Sequence, residues 1–233
     1  SGTGALTFAA APNFEDLGCG AGDNANGCVV VLSVTDGALT DTITVTVTIT
    51  NVNEAPVFSA ETVAVNVAEG TTTVATYAAT DVDASATQTY SIVTTGASVD
   101  HDLFAIVSGT GALTFAAAPN FEDLGCGAGN NANGCVVVLS VTDGALTDTI
   151  TVTVTITNVN EAPVFSDGDA IAVNVAEGAT VVATYAATDV DASATQTYSI
   201  VAGGASVDHD LFAIVSGTGA LTFAAAPNFE DLG

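Results

Sequence analysis

The chain repeats itself. The octapeptide Ser-Gly-Thr-Gly-Ala-Leu-Thr-Phe begins at Ser1, returns at Ser108 and returns again at Ser216, at spacings of 107 and 108 residues. The extra residue falls near Asp167-Gly168-Asp169, where the earlier copy reads Ala60-Glu61. Repetition of this kind means one structural module copied in tandem, each copy presenting ends that match its neighbours. It divides the sequence into the back half of one module (residues 1–55), one complete module (56–162) and the front of a third (163–233). The cut points are arbitrary with respect to the module, so any leader segment is expected outside this stretch.

Within the complete module the pattern is that of strands. Residues 149–157 alternate strictly, with Ile150, Val152, Val154 and Ile156 on one face and Thr on the other. Period two of this kind is a half-buried strand. Residues 135–141 form a nearly continuous apolar run, which suits a central strand covered on both faces. Further strands are expected at 62–67, 73–79, 87–93, 104–107 and 112–116, with Ser108-Gly109-Thr110-Gly111 and Asp143-Gly144 as turns. Helical spacing is absent over any useful length. Seven short strands in one module fit an all-β, Greek-key, immunoglobulin-like sandwich, repeated in tandem. The outer Thr face follows from β-propensity and solubility, with O-glycosylation as the functional alternative. No Asn-X-Ser/Thr sequon occurs.

Charge then narrows the function. There is no Lys or Arg against 26 Asp plus Glu, a formal charge of −26, yet 48% of residues are hydrophobic and can build a core. Two carboxylates about 4 Å apart repel by roughly 4 kcal/mol at an effective dielectric near 20. A folded chain of this composition must scatter its acids, protonate some, or recruit cations. Nucleic acid and anionic membranes are poor partners for it. No run of 18 apolar residues is present to insert in a membrane.

The four Cys form two local pairs, Cys19/Cys28 and Cys126/Cys135. A zinc site would want tighter pairs or added His, so two small disulfide loops are the preferred reading. That implies an oxidising, extracellular or cell-surface setting. His101 and His209 each lie between two Asp. A zinc or acid–base role is conceivable there, but an exposed turn before the fourth strand is preferred. No nucleophile elbow or phosphate loop occurs. The paired acids repeat identically from module to module, unlike a catalytic cleft. The chain therefore reads as non-enzymatic.

Five acidic or amide motifs recur in order: Ala68-Glu69-Gly70, Asp81-Val82-Asp83, Asn120-Phe121-Glu122, Thr142-Asp143-Gly144, and the joint Asn51-Val52-Asn53-Glu54-Ala55-Pro56, which returns at Asn158. Together they resemble the cadherin and bacterial or archaeal cadherin-like repeat family, over essentially the whole chain. The resemblance implies calcium between consecutive modules, which needs six to eight oxygen ligands. At the first joint it points to Asn13, Glu15, Asn51, Asn53, Glu54, Asp81, Asp83 and Asp143. At the second it points to Glu69, Asn120, Glu122, Asn158, Asn160, Glu161, Asp189 and Asp191. The joint is one residue shorter than the family's, with Asn for its first Asp. The Asn-Phe-Glu motif replaces the family's Asp-Arg-Glu. Fewer charges imply weaker or fewer ions than the family's usual three.

The function expected is a fibre, stalk or adhesin shaft stiffened by calcium, with neighbouring repeats or copies of itself as partners. The alternative is a glycan-binding or homophilic adhesion module, contacting cell-surface glycan or protein. The absence of Trp and the 6% aromatic content disfavour a sugar-stacking surface. Residues 1–18 and 216–233 are identical, so strand exchange between separate chains would bring the same strand twice. A continuous longer chain explains that overlap more simply.

Overall fold

A computed structural model describes residues 4–16, 27–83, 86–123, 126, 134–191, 193–204 and 206–231. They form two compact units. The first is Ser1–Asn120 with Leu124–Thr157; the second is Phe121–Asp123 with Asn158–Gly233. Every named element is a strand or a single 3₁₀ turn.

The first unit opens with a hairpin, β1 (Gly27–Thr35) and β2 (Thr40–Thr48), which forms a two-stranded sheet. Then follow β3 (Val57–Phe58), β4 (Thr62–Ala68), β5 (Thr73–Thr76), β6 (Ala79–Thr80), β7 (Thr89–Ile92), β8 (Phe104–Ile106), β9 (Ala112–Phe115), β10 (Gly134–Thr142) and β11 (Thr147–Thr157). One sheet has the order β4-β11-β10-β7 and another β5-β9-β8, with β3 and β6 as a short separate pair. The alternation in β11 does what its period implies: Ile150, Val152, Val154 and Ile156 are buried while Thr faces outward. They meet Val137, Leu139 and Val141 of β10, and Leu113 of β9 is likewise buried. Each such side chain contributes about 2 kcal/mol by leaving water. Phe104 and Phe115 stack with centroids 4.6 Å apart.

The expected strand over residues 73–79 is instead two. β5 pairs with β9, whereas β6 pairs with β3. Between them the Tyr77 N–H donates to the Gly111 carbonyl at 3.0 Å, and Tyr77 is buried. The chain thus changes sheets in mid-run. β3 follows directly on the joint and is not among the expected strands, because two residues are too few to show a period. The pairing of β4 with β11 is parallel over seven residue pairs, a relation no local pattern announces.

The second unit contains β12 (Val164–Phe165), β13 (Val181–Thr184), β14 (Ala187–Thr188), β15 (Phe212–Ile214) and β16 (Ala220–Phe223). β13-β16-β15 reproduces β5-β9-β8, and β12-β14 reproduces β3-β6. Cys126 and Cys135 form a disulfide, with Cα atoms 4.8 Å apart. Cys28 is disulfide-bonded too, while Cys19 lies outside the described residues. Among the described residues no helix is long and apolar enough to cross a membrane.

Candidate metal centre

The first joint draws its ligand groups from four segments of the first unit, one of them the Asn13–Glu15 turn. Residues 51–54 connect β2 to β3. Asp81 and Asp83 follow β6, and Asp143 opens the β10–β11 turn. The Asn51 amide donates to Asp83 Oδ1 at 2.6 Å, and the Glu54 N–H donates to Asp83 Oδ2 at 2.9 Å. The Asp83 N–H in turn donates to Asp81 Oδ1 at 2.9 Å. The Asn53 amide donates to Asp143 Oδ2 at 2.7 Å. Asp143 Oδ1 accepts the N–H groups of Ala145 and Leu146, both at 2.7 Å, so one carboxylate closes the turn and reaches the joint. With no Lys or Arg in the chain, these amides are the only side-chain donors the joint offers its acids.

Glu15, Glu54 and Asp83 present carboxylate oxygens within 4.8 Å of one another. Glu15 is oriented by a local turn in which its N–H donates to Asn13 Oδ1 at 3.1 Å. Desolvation pushes the Glu54 carboxyl above its ordinary value, and the negative charges of Glu15, Asp83 and Asp81 add to the effect. Asp81 Oδ2 is buried without a hydrogen-bond partner. Such an atom is costly unless a cation or donor meets it. Two oxygens on one calcium, each about 2.3–2.6 Å from it, can be no more than roughly 5 Å apart. The Glu15–Glu54–Asp83 spacing satisfies that limit. The residues present therefore fit a hard, oxygen-ligated divalent cation.

The second joint repeats the local scaffold. The Asn158 amide donates to Asp191 Oδ1 at 2.7 Å, and the Glu161 N–H to Asp191 Oδ2 at 3.0 Å. The Asp191 N–H donates to Asp189 Oδ1 at 3.0 Å, and the Asn160 amide to the Glu161 carbonyl at 2.9 Å. Carboxylate oxygens of Glu122 and Glu161 lie within 4.8 Å of each other. In the first unit, Glu69 is buried in the turn after β4, its N–H bonded to the Thr157 carbonyl at 3.1 Å. Asn120 follows Pro119, whose carbonyl accepts the Gly70 N–H at 2.9 Å.

The Asp-His-Asp turn differs from its expected exposed form. Asp100 and Ser98 are 7% and 2% exposed. Asp100 Oδ2 accepts the Val136 N–H at 2.7 Å, and Ser98 Oγ accepts the Val138 N–H at 3.0 Å. His101 Nδ1 donates to the Ser98 carbonyl at 2.7 Å. Together with the Val93 and Asp100 N–H groups, which donate to the Val138 and Val136 carbonyls at 2.9 and 3.1 Å, these side chains continue the edge of β10 beyond its last pair with β7.

A four-stranded sheet whose first long strand lies parallel to its last, with a three-stranded one, makes the complete repeat a cadherin-like, immunoglobulin-type sandwich. No protein-family profile matches the chain, and no curated protein does either. Solved structures similar to it include protocadherin gammaB7 EC3-6, described as a cis-dimer structure, at 23% identity and a TM-score of 0.52, with 88% of this chain and 53% of that one covered. Human CDH23 EC21-23 has 21% identity and a TM-score of 0.57, over 88% of this chain and 66% of that one. Mouse clustered PcdhgC3 EC1-3 has 22% identity and a TM-score of 0.53, over 94% and 71%. The chain thus spans about half the length of the first of these and just under two thirds of the second. At such identities the likeness shows the fold.

Proposed function

We propose that this chain is part of an extracellular array of cadherin-like repeats that serves as a structural shaft, stiffened by calcium at the joints between repeats. Its repeats are residues 1–55, 56–162 and 163–233, the outer two being partial. The observation that carries the reading is the set Glu15, Glu54 and Asp83, whose oxygens gather within 4.8 Å in a chain without Lys or Arg. Asp81, with its buried unpartnered oxygen, and the Asn51, Asn53 and Asp143 scaffold support it. These residues would hold the ion; Asn13 orients Glu15. When bound, calcium supplies the positive charge the sequence lacks. At the second joint the same donor types recur in Glu122, Asn158, Asn160, Glu161, Asp189 and Asp191.

The role is scaffolding rather than catalysis. Self-association is a second reading, favoured by the cis-dimer description of the protocadherin gammaB7 structure. Calorimetric titration with calcium, followed by small-angle scattering with and without chelator, tests the main reading. Calcium should bind and lengthen the particle, and Glu54→Gln should weaken binding by about tenfold through the lost ligand charge. An unchanged end-to-end dimension on chelation would sink the stiffening idea.

A further inference from the structure

His101 and His209 are the only histidines in a chain without Lys or Arg, and both are held in one geometry. His101 Nδ1 lies 2.7 Å from the Ser98 carbonyl, and His209 Nδ1 lies 2.8 Å from the Ser206 carbonyl. A carbonyl only accepts, so Nδ1 carries the hydrogen and Nε2 of the neutral ring keeps its lone pair. Beside that nitrogen stands a carboxylate. Asp102 Oδ1 is 3.4 Å from His101 Nε2, and Asp210 Oδ1 is 3.3 Å from His209 Nε2. Two acceptors so placed repel unless a proton or a metal ion lies between them. A protonated ring would draw the carboxylate to about 2.7–2.9 Å. Two ligands each about 2.1 Å from a tetrahedral zinc ion stand roughly 3.4 Å apart, which is the separation found.

We propose that each Asp-His-Asp turn is a binding site for a transition-metal dication of the zinc class. His101 Nε2 and the Asp102 carboxylate ligate it in the complete repeat, and His209 Nε2 and the Asp210 carboxylate in the second unit. The imidazole sets the choice of metal: it suits zinc, whereas calcium takes oxygen ligands at about 2.3–2.6 Å. The Ser98 carbonyl is the outer partner of the site. A ligating His gives its other ring N–H to such an acceptor, which fixes the tautomer and the ring orientation.

The turn of the complete repeat is pinned on both sides of His101. Before it, Ser98 Oγ and Asp100 Oδ2 accept the Val138 and Val136 N–H groups. After it, the Leu103 carbonyl accepts the Ala116 N–H at 2.8 Å, and the Leu103 N–H donates to the Asp100 carbonyl at 3.0 Å. Such anchoring holds the two ligands in place before a metal arrives. Asp100 is buried against β10, so the acid that a metal reaches is Asp102, whose side chain is 92% exposed; that of His101 is 26% exposed. Two protein ligands leave the other positions of a tetrahedral ion to water, so binding is reversible. The two sites lie 108 residues apart in sequence, one for each repeat that carries the turn. None of the joint acids takes part, so the inference stands or falls separately from the proposed function.

The test titrates zinc chloride into the whole nitrogen-15-labelled chain in a calcium buffer and follows the two imidazoles by long-range nitrogen–proton spectra. These signals report the rings alone, whether or not calcium occupies the joints. Nε2 of both rings should shift with zinc while Nδ1 keeps its proton, and added calcium should not reproduce the shift. Asp102→Asn should weaken zinc binding at His101 by about tenfold and leave His209 in the same chain unchanged as an internal control. Asp210→Asn should do the reverse. Rings that stay unshifted at millimolar zinc, zinc entering at Nδ1 instead of Nε2, or binding at each ring that is indifferent to its Asp→Asn change, overturns the inference.

Discussion

At Gly111 one hydrogen atom decides whether a turn can close. The residue has φ +71°, and a Cβ built on it would fall 2.1 Å from the Tyr77 carbonyl oxygen. Gly219 stands in the same relation to Tyr185. The Ser-Gly-Thr-Gly turn is readable in the sequence, but the approach of Tyr77 is not, because it depends on β5 ending where it does. Gly111→Ala should destabilise the repeat by about 3 kcal/mol, from left-handed strain plus displacement of a backbone carbonyl; urea melts of the two proteins would show it. Asp36 illustrates a second residue-scale effect. Its carboxyl accepts N–H bonds from Leu39 and Ala38 at 2.8 and 2.9 Å, which hold its pKa below the ordinary aspartate value of 3.8. A depressed folded-state pKa stabilises the turn above the ordinary value, and that contribution is lost as pH falls through the folded one. The protection factors of the Ala38 and Leu39 amides should therefore fall on acidification below about pH 4, and Asp36→Asn should flatten that dependence. The joint acids were legible by type, since repeated carboxylates without a basic partner ask for a cation. The hydrogen bonds that aim them were not, because Asn53 reaches Asp143 from 90 residues away in sequence.

At the scale of the element, identical sequences lead different lives. β2 and β11 share their first nine residues, and only β11 has strands on both sides. Ile150→Ala should cost about 3 kcal/mol, because it leaves a cavity in a packed core. Ile43→Ala should cost well under 1 kcal/mol in this chain, because its side chain already meets water. Differential denaturant melts would check this, and equal losses would contradict the burial difference. Periodicity located β4, β7, β9, β10 and β11 to within two residues or so, since each buries one face against a neighbour. It failed where tertiary pairing overrides the local pattern. β5 and β6 read as one strand because both halves are alternating and apolar; the switch between sheets comes from partners far along the chain. The parallel match of β4 to β11 is invisible for the same reason.

For the whole molecule, the repeat period was the most legible feature, because it needs no physics beyond self-comparison. The parallel ladder described above has a consequence for load. β4 lies near the start of the complete repeat and β11 at its end, side by side and pointing the same way over seven residue pairs. A pull on the two ends of the repeat drags these strands past each other lengthwise. All seven pairs then resist at once, whereas strands joined as a hairpin would peel apart one pair at a time. Stretching a single molecule by atomic-force microscopy should give a high rupture force for the complete repeat, and Val65→Pro, which removes a ladder donor on β4, should lower it sharply. Tensile strength in this chain is thus a matter of strand direction, set by which edge the first long strand chooses.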